Sequence, residues 1–582
     1  MGRVIEPRKH LVVGADAIRV SEGRTRRSQW PDQRVPPGSE SRARTQGFSR
    51  NLGDPAVSAD NISGEGNHVK RTQARRGVPP PKGAKIWHRA VPPTEGNEGP
   101  REERPEVGAA RISDESGEPG RRDPLERRGC RITEPLKGKT MDAKESSNVY
   151  TKQQRIAELA RIHPEVAFTS LAHYMDLDWM KEAFRRTRKD GAVGVDGVTG
   201  MEYGENLEAN LQNLLDRAKS GDTYKAPPVR RAYIPKADGT QRPLGIPTFE
   251  DKLLQRAVVM LMEPIYEQDF LNCSYGFRPR RSAHMALETI WEGLMSMGGG
   301  YVLDVDIRKY FDTLGHEKLR EFLDLRMRDG VLRRLIGKWL KAGVLEEGCI
   351  THPETGSPQG GVISPILANI YLHEVLDVWF KEEVEPRLRG RAFLVRYADD
   401  FIIGFSREED AKRVMEVLPK RFERFGLTIH PDKTRLVAFR KPKMLRDPSG
   451  GPGHFDFLGF THHWGQSKKG KWVVQRKTAK ARMSRALTAI GDWMRKHRHL
   501  SVREQWRTIN QKLVGHFRYY GITGNSKALS RFRHAVGRRW RGWLNRRSQR
   551  ARVNWIRMNK LLDRYPLAPA ICYASKLRPQ RP

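Results

Sequence analysis

Asp399 and Asp400 are adjacent in Tyr397-Ala398-Asp399-Asp400, with apolar runs on both sides, Phe393-Leu394-Val395 before and Phe401-Ile402-Ile403 after. Neighbouring carboxylates between apolar strands repel each other and resist burial unless a cation joins them. A tight turn between such runs reads as a β-hairpin, which would carry both carboxylates into one site. The other reading is an acidic surface turn. A second strand-like run, Tyr301 to Ile307, carries Asp304 and Asp306 two residues apart and so on one face. Phosphoryl transfer with two metal ions needs carboxylates converging from different strands, one ion activating a hydroxyl and the other holding the phosphates and the leaving oxygen. Asp306, Asp399 and Asp400 would supply three such carboxylates. For Asp306 alone, the alternative is a strand-end capping residue.

The elements that must position these groups follow from the pattern around them. Helical periodicity begins at Gln153 and runs through Ile156, Leu159, Ala160 and Ile162, then again from Met175 to Phe184. Gly191 to Gly197 is a glycine-rich loop. Tyr233-Ile234-Pro235-Lys236 and Arg242-Pro243-Leu244-Gly245-Ile246-Pro247 read as two short strands around Asp238-Gly239. Residues 251–268 read as a helix, another follows from Gly360 onward, and Leu427 to Phe439 returns to strand character. Beyond about residue 470 the pattern reads as helical and strongly basic. Strands alternating with helices, with acidic groups on separate strands, predict an α+β fold.

The chain has 582 residues and a formal net charge of +38, far beyond what solubility requires, which points to a polyanionic partner. No apolar run approaches the ~18 residues of a membrane span, and the N-terminus lacks the apolar segment of a signal peptide. Cys130, Cys273, Cys349 and Cys572 are far apart and form no C-x-x-C pair, so neither a zinc site nor a disulfide framework is indicated, and a reducing cytoplasm fits. Residues 1–140 contain 17 Gly and 15 Pro with no helical or strand period, a composition that cannot bury enough apolar surface to order itself. They are expected to be a disordered basic extension, either an RNA-binding tail or translated non-coding sequence ahead of Met141.

At this point the motifs become specific. Asp304-Val305-Asp306-Ile307-Arg308-Lys309-Tyr310-Phe311-Asp312 resembles the first catalytic block of group II intron reverse transcriptases. Ser357-Pro358-Gln359-Gly360-Gly361-Val362-Ile363-Ser364-Pro365, continuing to Leu372, resembles their most recognisable block. Ser274-Tyr275-Gly276-Phe277-Arg278-Pro279 and the Arg242 to Pro247 run match two more. The resemblance covers about residues 150–575. It implies a right-hand polymerase, with fingers over 141–295 and palm over 296–465. A helical thumb or maturase-specific domain over 466–552 and a short basic tail over 553–582 would follow.

The same resemblance implies roles residue by residue. Asp306, Asp399 and Asp400 are the metal ligands, for two Mg2+ ions with Mn2+ as a substitute, and Asp304 is a neighbour. Lys236 and Arg242 clamp the triphosphate, as a point charge and a fork respectively. Phe311, five residues after Asp306, lies under the incoming sugar and selects deoxynucleotides. Gln359 contacts nucleotide or template near the sugar. Lys433, in His430-Pro431-Asp432-Lys433-Thr434, is proton donor or charge stabiliser for the leaving group. Leu458, Gly459 and Phe460 form a primer-grip turn.

Between Glu504 and Asp563 there is no acidic residue, while arginines and aromatic rings interleave, which suits a helical module that binds nucleic acid. Arg518, Arg538, Arg539, Arg546 and Arg547 are the RNA-binding candidates. Helical spacing makes most rings, among them Trp506, Phe517, Phe532 and Trp540, core rather than stacking partners. Asn510 to Tyr520 resembles the core of the maturase-specific domain. His462-His463 reads as polar loop. With no paired cysteines near the end, the resemblance is to the endonuclease-lacking type, and the short tail puts a full DNA-binding domain in doubt.

The expected function is an RNA-directed DNA polymerase and maturase. It would assist group II intron splicing and copy intron RNA into target DNA from dNTPs, in a bacterial cytoplasm and at the nucleoid when acting on DNA. The alternatives are a domesticated reverse transcriptase in repair or defence, and a splicing-only RNA chaperone.

Overall fold

The runs flanking the paired aspartates are apolar at every position because the sheet they form is covered on both faces. The computed structural model describes residues 10–13, 18–21, 143–221, 223–235, 239–346, 349–351, 356, 360–442, 453–550 and 552–574. The expectation of a disordered extension over 1–140 therefore lies outside the described residues, except for two short paired strands, His10–Val13 and Ile18–Ser21.

The central sheet has four strands in the order Ala392–Tyr397, Asp400–Phe405, Gly299–Val305, Arg435–Arg440, all antiparallel. Side chains alternate across it. Leu303, Val305, Leu394, Phe401, Ile403 and Phe405 enter one core, shared with the helices Phe249–Asp269 and Ser364–Leu372. Val302, Val395 and Ile402 enter a second core, shared with Phe455, Phe517, Phe532 and Trp540. The sheet is thus the partition between the two cores, and its end carries the aspartates.

On the first side, Phe249–Asp269 is buried around most of its circumference. Its start is fixed by Thr248, whose hydroxyl accepts from the Asp251 amide at 3.2 Å. A second four-stranded sheet, with Val229–Pro235 and Gln241–Ile246 as its hairpin, adjoins this region. On the other side, Phe455–Phe457, Phe460–Gln466 and Trp472–Thr478 form a three-stranded sheet. The helices Lys480–Lys496, Val502–Tyr520, Ser526–Leu544 and Trp555–Arg564 follow.

Three readings need correction. The chain beyond about 470 is not helical at once, because the aromatic and β-branched run Trp472-Val473-Val474 pairs with Phe460–Gln466. His462 is fully buried inside a strand, its ring stacked on Phe455 at 4.6 Å, and is no loop residue. The expected tail contains the helix Trp555–Arg564, anchored by the fully buried Met558.

A polar network lies beneath the aspartate turn, within the apolar layers. Arg396 and Asp377 are both fully buried and paired through two bonds, Nε to Oδ1 at 2.8 Å and a second nitrogen to Oδ2 at 2.5 Å. The third nitrogen donates to Asn369 Oδ1 at 2.9 Å and to the Ala398 carbonyl at 3.2 Å. Asn369 belongs to Ser364–Leu372 and Asp377 to the widened π segment His373–Val378. On unbroken α-helix, eight residues would rotate Asp377 about 80° away from Asn369. The wider turn alters that rotation, and both residues reach one guanidinium.

A buried charge left without its partner is far more costly than the intact pair. Arg396→Leu should therefore lower unfolding free energy by about 3–5 kcal/mol in denaturant titration. Adding Asp377→Leu should recover much of that loss. A single variant within about 1 kcal/mol of the parent would contradict this reading of the network.

Candidate active site

Strand register brings the separate aspartates to one place. Phe401 pairs with Val305 and Ile402 with Asp304, so one step further Asp400 falls opposite Asp306. On the other side Arg435 pairs with Asp304, and two steps on Lys433 falls opposite Asp306. The side chains agree: Lys433 Nζ lies 2.9 Å from Asp306 Oδ2, and Arg435 Nε lies 3.2 Å from Asp304 Oδ2. The loop bearing Lys433 is tied down by the His430 amide, which donates to the Asp306 carbonyl at 2.8 Å.

Tyr397 pairs with Asp400, leaving Ala398-Asp399 as a two-residue turn. Ala398 has φ of 59°, a conformation that side-chained residues adopt at a cost. Two contacts hold it there. Arg396 binds its carbonyl from below, as described above. Gly276 packs on its backbone from the side, where a Cβ would meet the Ala398 nitrogen at 2.3 Å. Gly276 is itself held by Asn369 Nδ2, which donates to its carbonyl at 2.8 Å. The Tyr275 amide also donates to the Arg396 carbonyl at 2.9 Å. The Ser274 to Pro279 motif is thus the lateral support of the aspartate turn.

Electrostatics at the turn are unfavourable without a cation. Burial, then the carboxylates of Asp399, Asp306 and Asp304, push the Asp400 carboxyl up to about 7, with Arg482 opposing. Burial also raises Asp304 to about 6, with Arg435 pulling the other way. Among the described residues no three Asp, Glu, His or Cys side chains are drawn close enough to form a ready-made ion cage. Lys433 holds Asp306 instead. The donor set still suits a hard divalent cation: three carboxylates on one sheet end, one on a supported turn and one next to it, with the charge repulsion that a cation would relieve.

The nucleotide-side candidates are partly described. Lys236 and Gln359 lie outside the described residues. Arg242 lies half-buried on Gln241–Ile246, opposite Ile234. Phe311 follows the catalytic block on the one-turn helix Tyr310–Thr313, edge-on to Tyr310 at 5.4 Å, and packs against the first core. The residues flanking Gln359 are informative. Gly360, with φ of 126°, lies against the Gly245 carbonyl, where a Cβ would come within 2.5 Å. Gly356 lies against the backbone of Phe311 and Asp312. Gly360 is thus fastened to the Arg242 strand, and Gly356 to the segment carrying Phe311.

The primer-grip candidates form a tight turn. Phe457 pairs with Phe460 across Leu458-Gly459, whose φ values are 49° and 80°. Tyr519 Oη donates to the Leu458 carbonyl at 2.9 Å, and the Ala479 amide donates to the Gly459 carbonyl at 2.9 Å. Phe460 is buried against Tyr520, ring centroids 5.1 Å apart. All five arginines proposed to meet RNA are exposed on or just after the C-terminal helices. Arg546 lies over the Trp543 ring at 4.9 Å, and Arg547 is engaged by the Leu500 carbonyl. Phe517, Phe532 and Trp540 are fully buried, as core residues should be.

The sequence reading missed Arg396, Asp377 and Asn369. Their signal was present: a charge within Phe393-Leu394-Val395-Arg396 and another within Val375-Leu376-Asp377-Val378-Trp379, each in an otherwise apolar run. Two lone buried charges of opposite sign need one another. Arg482 was also missed, because nothing local marks it as facing the aspartates.

Two outcomes follow. Asp400 binds its proton more tightly folded than unfolded, so its ionisation costs stability as pH rises from its ordinary range near about 4 to about 7. Mg2+ should then raise the melting temperature more at about pH 8 than at about pH 5.5, and Asp400→Asn should flatten that difference. An equal Mg2+ effect at both pH values in the parent protein would contradict it. Separately, Gly276→Ala should displace the turn, lower the melting temperature, and lower kcat for primer extension by about tenfold or more at a temperature where the variant is still folded; unchanged kcat would show that Gly276 does not support the turn.

Residues 234–462 match the family described as reverse transcriptase (RNA-dependent DNA polymerase), and residues 483–561 match the group II intron maturase-specific domain. Protein YkfC of Escherichia coli is 38% identical over 283 residues, covering 43% of this chain and 74% of YkfC. Group II intron-encoded protein LtrA of Lactococcus lactis is 35% identical over 283 residues, 46% of either chain, so the match spans less than half of LtrA. Nuclear intron maturase 2, mitochondrial, of Arabidopsis thaliana is 28% identical over 229 residues, covering 33% of this chain and 30% of that protein. The aspartate-bearing sheet thus falls inside the polymerase match and the basic helices inside the maturase match, and the chain belongs to the group II intron-encoded reverse transcriptase/maturases, with an RNA-directed DNA polymerase domain followed by a maturase-specific domain.

Proposed function

We propose that this protein binds the folded RNA of a group II intron, assists its splicing, and copies it into DNA at an insertion site during retrohoming. The observation that carries this reading is the register that sets Asp306, Asp400 and Lys433 side by side, with Asp399 on the supported turn. When bound, divalent ions, Mg2+ or Mn2+, supply Lewis-acid polarisation of the phosphates and a more acidic primer hydroxyl. Asp306, Asp399 and Asp400 would hold them.

The chain's own residues do the rest. Arg242, with Lys236, draws the triphosphate of a dNTP toward the sheet end. Phe311 limits space at the 2′ position, and Gln359 contacts the nucleotide near the sugar. Lys433 leaves Asp306 when the carboxylate is otherwise engaged, and its ammonium then neutralises or protonates the departing pyrophosphate. Leu458, Gly459 and Phe460 hold the primer end. That turn hangs from Tyr519 and Ala479, and Tyr519 shares its helix with the exposed Arg518, which with Arg538, Arg539, Arg546 and Arg547 would meet RNA phosphates. Target DNA is the second nucleic-acid partner, met at the nucleoid in a bacterial cytoplasm. Among the described residues no helix is long and apolar enough to cross a membrane.

Three carboxylates with dedicated structural support argue against a splicing-only chaperone, which would not need them. Asp399→Ala with Asp400→Ala should abolish primer extension on an RNA template while leaving affinity for the intron RNA within about threefold of the parent. Extension that survives the double change would overturn the site assignment.

A further inference from the structure

A cavity of about 820 Å3 opens between the segment Tyr224–Pro228 and the helices His316–Asp324 and Gly330–Leu340. None of its lining residues is among the three aspartates, the nucleotide candidates, the primer grip or the C-terminal arginines. Six cations line it, Lys225, Arg320, Arg333, Arg334, Lys338 and Lys341, against one carboxylate, Asp324. That carboxylate is used, since Arg333 donates to its Oδ2 at 2.8 Å. Lys338 is used as well: its ammonium donates to the Gly221 and Tyr224 carbonyls at 2.7 and 2.6 Å and so builds the wall. Lys225, Arg320 and Arg334 are exposed and make no hydrogen bond or ion pair to a described residue.

Like charges gathered from three elements around a concave surface repel one another, and the focused positive potential is relieved by an anion. The lining also narrows the kind of anion. Its one aromatic ring, Tyr224, is fully buried with its hydroxyl bound to Asp251 and Trp339, so it offers no face for a base. Sites for single strands combine cations with stacking rings. Folded RNA instead presents continuous phosphates with its bases turned inward.

We propose that this cavity binds the phosphodiester backbone of a folded RNA, without reading its sequence, as a contact separate from the polymerase channel and the C-terminal helices. The proposal rests on the reading above that the protein binds folded RNA. Lys225, Arg320 and Arg334 provide the phosphate contacts, with Lys341 at the rim.

The test uses the full chain with Lys225→Gln, Arg320→Gln and Arg334→Gln combined, and a charge-keeping control with Lys225→Arg, Arg320→Lys and Arg334→Lys. Binding to the group II intron RNA is measured by anisotropy across a salt series, beside kcat and KM for extension on a short unstructured template–primer. Each released phosphate contact contributes roughly 0.7–0.9 to the log–log salt slope, so the neutral variant should bind more weakly with a slope shallower by about two to three. Its melting temperature and extension kinetics should stay at parental values, and the charge-keeping control should retain the slope. An unchanged slope in the neutral variant would overturn the proposal. So would a raised KM for the short template, which would place the cavity in the polymerase channel. So would equal loss in the charge-keeping control, which would make the effect structural. Failure of the parent protein itself to bind the intron RNA would instead overturn the reading on which the proposal rests.

Discussion

The ion pair between Arg396 and Asp377 is the constraint from which the rest of the site hangs. A guanidinium with no solvent contact can be accommodated only if every face of it is answered, and here Asp377, Asn369 and the Ala398 carbonyl do so. The arrangement cannot relax piecemeal, because loss of any partner leaves a buried charge or donor unpaired. Rigidity is thereby transmitted to the one backbone carbonyl that fixes the aspartate turn. Asn369 serves both supports of that turn: its oxygen accepts from Arg396, and its nitrogen binds the carbonyl of Gly276. A carboxylate pair that repels itself needs such a frame, since otherwise the turn would open to move the charges apart.

The double-sided burial of the central sheet has a related consequence. Because Val302, Val395 and Ile402 pack into the core of the C-terminal helices, the sheet end and those helices are parts of one packed body. Trp291 Nε1 donates to the Val474 carbonyl at 2.9 Å, and His284 lies 2.7 Å from the Tyr519 carbonyl, so polar contacts reinforce the same junction. The Leu458-Gly459 turn projects from this junction. A displacement of the basic helices by bound RNA would therefore be felt at the turn proposed to hold the primer, which links the two halves of the proposed function through packing alone.

Much of this was legible in the sequence. The carboxylate-bearing strands, the hairpin between apolar runs and the long central helix are all visible as local periodicity, and local periodicity is what a sequence displays. Failures came where tertiary partners decide. His462-His463 looks polar in isolation, yet pleating sends His462 into the core against Phe455. Trp472–Thr478 lies in a basic stretch, and only its pairing with Phe460–Gln466 makes it a strand. Arg396 and Asp377 are 19 residues apart, and the pairing depends on a π segment that no residue pattern announces. Asp399 and Asp400 were recognisable as a candidate metal site; the frame that holds their turn was not.

The central claim is that Asp306, Asp399 and Asp400 form one two-ion centre. The most direct measurement is electron paramagnetic resonance of Mn2+ bound to the full chain with template–primer and a non-hydrolysable dNTP analogue. The account predicts two ions per chain with the exchange-coupled spectrum of a pair roughly 3.5–4 Å apart. An uncoupled spectrum, or one that persists when Asp306 is replaced by Asn, would contradict it.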